Sequence, residues 1–202
     1  MKRVKLIENF PEFRQISQYD CGSAAMEAVL MYYGYDVSEK KIMKMAKTDK
    51  HGTRVNGLLN VAKKFGLKYE IGTLDIDDLK KNIDEGKPTI LALQAWLKKE
   101  VNDWDKHWAD GHYVVAIGYD SKKFYFEDPS ATIRTYLTYK ELEERWHDID
   151  AKTKKRFYHL GITFLNKKPK FRLNEVIHMD YRNLSPKKMR GVFTYKGVKM
   201  IK

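Results

Sequence analysis

The sequence predicts an α+β fold in which a helical N-terminal half packs on an antiparallel β-rich half. Apolar residues recur at helical spacing up to about residue 65, alternate or run continuously after about residue 68, and include one eight-residue stretch, His112 to Tyr119, rich in β-branched side chains. A chain of 202 residues with 43% hydrophobic content is long enough to bury its own core.

Residues 1 to 12 read as a lead-in strand or arm ending at Pro11. Asp20 is placed to cap a helix that begins at Cys21, where Ala24, Ala25, Ala28, Val29 and Tyr32 mark one apolar face and Gly34 ends it. Ser38 to Ala46 and Asn56 to Phe65 are amphipathic helices, the second stopped by Gly66. Lys68 to Thr73 alternates like a strand, Ile76 to Glu85 reads as a short helix, and Pro88 opens the apolar run Thr89 to Ala95. His112 to Tyr119 and Lys123 to Glu127, joined by Asp120-Ser121, form a hairpin that Asp128-Pro129 terminates. Thr132 to Leu137 is a third strand, Tyr139 to Trp146 a helix, and Arg156 to Leu165 one closing strand.

Net charge is +12, and its distribution matters more than its size. Residues 166 to 202 hold eleven Lys or Arg and only Glu175 and Asp180, a net +9. The expected organisation is therefore a domain over 1–165 and a basic extension over 166–202 that Phe171, Ile177 and Phe193 hold partly packed. Such an extension can meet an acidic substrate, nucleic acid or anionic lipid, but it carries no nucleic-acid motif, and a solvated basic face is the commoner explanation. No run of about 18 apolar residues spans a bilayer, and the first residues lack a secretory signal pattern, so the expected compartment is the cytoplasm.

One cysteine excludes an internal disulfide and a Cys-based zinc site. Cys21 is either a small buried hydrophobe or a reactive thiol, and its place just inside a helix start favours the second, because a helix N-terminus and a nearby imidazolium stabilise thiolate. Gly22 leaves the backbone beside the sulfur uncrowded. The unpaired N–H at that helix start can donate to the oxygen of a tetrahedral intermediate together with a side-chain amide. Gln15, six residues upstream, is preferred for that amide, with Gln18 as the nearer competitor.

Among six histidines, His112 stands where Gly111-His112 opens a strand after the polar loop Lys98 to Asp110, and His107 within that loop is the alternative base. Asp128, at the end of the paired strand, is placed to hold the imidazole's tautomer. Trp96, Trp104 and Trp108 lie among charged residues before His112 and form a candidate wall of a substrate cleft, with Trp96 and Trp108 as its substrate-binding candidates; alternatively Trp96 belongs to the end of the core strand and Trp104 and Trp108 pack the loop onto the body.

DCGSAAMEAVLMYYG at 20–34, GHYVVAIGYD at 111–120 and FEDPS at 126–130 together resemble the C39 peptidases of the papain-like superfamily, over roughly residues 11 to 165. The resemblance implies a papain-like fold with Cys21 as nucleophile, His112 as base, Asp128 as its orienting partner and Gln15 as oxyanion donor, acting through an acyl-enzyme without metal or other cofactor. It also implies a peptide or protein substrate. Well-known members are fused to ABC transporters and cleave leader peptides after a Gly-Gly pair; this sequence resembles the free-standing branch. A catalytically silent peptide-binding module, an acyl transferase and a deamidase are compatible with the same four residues.

Overall fold

The computed structural model describes residues 4–96 and 103–167, and within them the fold is α+β, as expected. The segment expected to be a basic extension lies, from residue 168 on, outside the described residues, as do residues 97–102 of the loop before His112.

The elements run β1 (Lys5–Leu6), α1 (Cys21–Tyr32), α2 (Glu39–Ala46), α3 (Val55–Lys64), β2 (Tyr69–Thr73), α4 (Ile76–Asp84) and β3 (Thr89–Gln94). A 3-10 turn at Trp104–Lys106 then precedes β4 (Gly111–Tyr119), β5 (Lys123–Glu127), β6 (Thr135–Thr138), α5 (Tyr139–Arg145), β7 (His147–Ile149), β8 (Arg156–Tyr158) and β9 (Leu160–Phe164). A seven-stranded antiparallel sheet has the order β2-β9-β3-β4-β5-β6, with β1 also paired to β4; β7 and β8 form a separate hairpin.

The chain's apolar runs explain the centre of this arrangement. β3 and β4 are buried nearly throughout, because Thr89 to Leu93 and Tyr113 to Ile117 offer no polar face to water. Helix α1 packs against β4 and is buried on almost all sides, its small residues Ala24, Ala25 and Ala28 allowing close approach. The start of α1 and the start of β4 are thereby brought together.

Local chemistry sets the ends. Asp75 caps α4 in a reciprocal box with Asp78, and Thr138 does the same for α5 with Glu141. Asp20 does sit at the cap position of α1, but its side chain turns back to accept from the Ser17 N–H and hydroxyl, so it braces the preceding loop and leaves the helix N–H groups alone. The expected closing strand is two strands, β8 and β9, broken at His159 by a left-handed φ of 51°. Trp146 and His159 stack at this corner, and β8 turns away to pair with β7, a hairpin the sequence reading missed.

Candidate active site

Cys21 is the first residue of α1, so its N–H has no acceptor within the helix. Gly22 behind it is required by packing: a Cβ there would stand 2.9 Å from both Thr53 Cβ and Tyr113 Cδ2. The glycine keeps the helix start seated between α3's lead-in and β4, where the sequence reading had it leave open space.

His112 and Asp128 meet as expected. The Nε2 of His112 is 2.8 Å from Asp128 Oδ1, and both side chains are buried. Asp128 is saturated with donors: Oδ1 also accepts from the Ser130 N–H at 2.9 Å, while Oδ2 accepts from Trp96 Nε1 at 3.1 Å and Thr135 Oγ1 at 3.0 Å. Burial raises the carboxyl's pKa, but the hydrogen bond and charge of His112, with the Ser130 and Thr135 donors, outweigh it and leave the group below the usual carboxylate range. Burial likewise pulls the imidazole's pKa down, yet hydrogen bonds with Asp128 and with the Cys21 thiol reverse the direction and lift it to about 10. Nε2 is committed to Asp128, which leaves Nδ1 as the ring nitrogen for the sulfur.

Gln15 is fixed from two sides. Its Oε1 accepts from Ser130 Oγ at 2.8 Å and its Nε2 donates to Ser17 O at 2.6 Å, leaving one amide hydrogen uncommitted. Its backbone N–H donates to Pro129 O at 3.0 Å, so the loop before Cys21 is tied to the loop after Asp128. Gln18 instead lines the cleft beside Cys21.

That cleft holds about 760 Å³ and is lined by Cys21, Thr53, Trp108, Gly111, Tyr113 and Asp148 among others. Trp108 lies 4.4 Å from His147 centroid to centroid and carries the Arg156 guanidinium 4.7 Å over its ring, so it is a wall built on the β7–β8 hairpin. Trp96 is not part of that wall; it is exposed, adopts a left-handed φ of 61°, and turns its indole N–H to Asp128. His107 is bonded to Asp110 at 2.7 Å, and His147 to the His107 carbonyl at 2.7 Å, which places the alternative base in the scaffold of the loop. Among the described residues no group of three His, Cys, Asp or Glu side chains is placed to hold a metal ion.

The sequence reading missed Asp148 and its support. Gln94, fully buried at the end of β3, donates Nε2 to Asp148 Oδ1 at 3.1 Å and accepts the Asp110 N–H at 3.0 Å. The available signal was the alternation His147-Asp148-Ile149-Asp150, which puts two carboxylates on one face of a short strand.

The family model described as "Peptidase C39 family" matches residues 9–157. The chain belongs to the C39 peptidase family. Among curated relatives, the pediocin PA-1 transport/processing ATP-binding protein PedD of Pediococcus acidilactici is 27% identical over 136 residues, which cover 67% of this chain but 17% of PedD. The C39 chain therefore spans about a sixth of such a transporter's length. An uncharacterised protein of Methanothermobacter marburgensis is 38% identical over 117 residues, covering 58% of this chain and 70% of that one. Among solved structures, the peptidase domain of Streptococcus ComA, a bi-functional ABC transporter involved in quorum sensing, superposes with a TM-score of 0.60 at 22% identity, over 79% of this chain and 100% of that domain. The papain-like fold expected of this C39 chain agrees with that likeness, and its family membership supports a cysteine peptidase. No helix among the described residues is long and apolar enough to cross a membrane.

Proposed function

We propose that the protein is a cysteine peptidase that hydrolyses peptide bonds through Cys21, His112 and Asp128, with Gln15 and the Cys21 N–H receiving the oxyanion. The observation that carries this reading is the buried His112–Asp128 pair at 2.8 Å, which leaves the second ring nitrogen for Cys21, the one cysteine in the chain. An imidazolium beside a thiol at a helix start is the environment in which the thiolate is stabilised. Cys21 Sγ attacks the scissile carbonyl, the oxyanion forms against the Cys21 N–H and the spare Gln15 amide hydrogen, and His112 protonates the departing amine. Water, deprotonated by the now neutral His112, then releases the acid from the acyl-enzyme. A working thiol without a disulfide partner suits a reducing compartment, and this reading places the reaction in the cytoplasm.

The test uses the single cysteine as its own reporter. Iodoacetamide alkylation of Cys21 at pH 6, followed by whole-protein mass, should slow by about 100-fold in His112→Ala. Peptide hydrolysis should vanish in Cys21→Ala and fall more in Gln15→Ala than in Gln18→Ala. Alkylation equal in His112→Ala and the parent protein would leave a peptide-binding module as the better reading.

A further inference from the structure

Resting on the peptidase reading, we infer that Asp148 is a specificity-determining residue that receives a lysine or arginine side chain of the peptide substrate next to the bond that Cys21 attacks.

Asp148 is half-buried on β7, and its carboxylate lies against the Cα of Gly111, the residue before His112. A side chain at 111 would collide with it, so the absence of a Cβ there is what lets a carboxylate reach the cleft at the level of the catalytic ring. Both Asp148 and Cys21 line that cleft, and the charges of both act on the buried Tyr113.

The carboxylate is oriented but unfinished. Oδ1 accepts from Gln94 Nε2 at 3.1 Å and from the Ile149 N–H at 2.8 Å, whereas no donor among the described residues reaches Oδ2. Burial pushes the group up to about 6 while the Ile149 N–H, Gln94 and the His112 charge hold it down, so it is ionised at neutral pH. A half-buried carboxylate with a free oxygen favours a ligand that brings both N–H donors and positive charge.

Other charges line the same cleft. Arg54 lies 3.9 Å from Asp49 and its charge also acts on Asp150; Asp150 Oδ1 accepts from the Lys152 and Thr153 N–H groups at 3.0 and 2.7 Å. Lys50, Lys152 and Lys154 are exposed at the rim, where water and salt screen them. Asp150 likewise shows both of its donors on Oδ1, so what singles out Asp148 is its place against Gly111, next to His112.

The experiment uses three methanethiosulfonates: aminoethyl (cationic), methyl (neutral) and sulfonatoethyl (anionic). In each, the Cys21 sulfur attacks the reagent's sulfur, a mixed disulfide forms and methanesulfinate leaves. Rates are normalised to those with 2-mercaptoethanol. The cation-to-neutral ratio should be about tenfold higher in the parent protein than in Asp148→Asn, the size of one charge-assisted hydrogen bond, and Asp150→Asn should keep most of it. An unchanged ratio in Asp148→Asn, or an equal loss in Asp150→Asn, overturns the assignment. Should Asp148→Asn fail to fold, protection of Cys21 in the parent protein decides: a short Gly-Lys-Gly amide should protect at about tenfold lower concentration than its norleucine counterpart, and equal protection overturns the assignment. His112→Ala separates the two claims, because loss of the base slows the neutral methyl reagent, which Asp148→Asn should leave at the parent rate.

Discussion

Two carboxylates on which the His112 charge acts, Asp128 and Asp148, differ in how completely the fold satisfies them. Asp128 takes four donors from four different segments, Trp96, His112, Ser130 and Thr135, and its hydrogen-bonding capacity is spent. Asp148 takes two, both on one oxygen, in a side chain that lines the cleft. A group that must hold an imidazole in one orientation gains from being immobile, because misplacing a catalytic ring costs rate. A group that must receive a substrate gains from being incomplete, because its last hydrogen bond is then made only on binding. The same residue type thus has two uses, set by the number of donors the surrounding strands and loops bring to it.

The largest effect should come from breaking the saturated side. Asp128→Ala leaves a buried imidazole N–H without an acceptor and frees the ring to rotate, so kcat/KM on a peptide substrate should fall about 100-fold, mostly in kcat. Asp148→Ala should act mainly on the choice between basic and neutral substrates. If the two variants lost kcat equally for a norleucine peptide, the division between orienting and receiving carboxylates would be wrong.

How much of this was legible in sequence follows the same division. The helix from Cys21, the strand from His112 and the hairpin ending at Asp128 are local patterns of apolar period and turn chemistry, so His112 and Asp128 could be placed near each other from pattern alone, while the resemblance to C39 peptidases was what brought Cys21 to them. The β7–β8 hairpin could not. Arg156 to Leu165 looks like one continuous strand, and only the left-handed turn at His159, fixed by the Trp146 stack, diverts its first part to pair with His147 to Ile149. Asp148 depends on that diversion and on a buried amide contributed from β3. Trp96 was read as a cleft wall or a core residue because aromatic side chains are mostly apolar surface; its indole N–H decided its place.

A third carboxyl sharpens the contrast from the side of stability. Glu127, next to Asp128, is buried with only the Phe13 N–H bonded to Oε1 at 3.0 Å, and no partner among the described residues reaches Oε2. Burial pushes it up to about 8, against the opposing Phe13 N–H and Arg14 charge. A carboxyl raised above its unfolded value near 4.5 binds more protons folded than unfolded, so its contribution is complete below pH 4.5 and is lost as pH climbs through 8. His112, raised from 6.5 to about 10, has the same sign over a higher window. Glu127→Gln should therefore stabilise the fold by about 2 kcal/mol at pH 8.5 relative to the parent, and much less at pH 5, read by urea denaturation at both pH values. A gain that did not depend on pH would show that packing, and not charge, limits this position.

The smallest expected effect belongs to Trp96, and it separates an orienting role from a cleft wall. Trp96→Phe keeps an aromatic ring but removes one of four donors to Asp128, at a site open to solvent where water can replace part of what is lost. Loss of one such bond should cost about 1 kcal/mol, seen as a roughly fivefold drop in kcat with KM unchanged. The Asp128 carboxyl should also move upward with one donor gone, shifting the acid limb of the kcat–pH profile to higher pH, since the orienting anion then begins to protonate sooner. A wall residue would behave in the opposite way: the phenyl ring would raise KM for a bulky substrate and leave both kcat and the acid limb where they were.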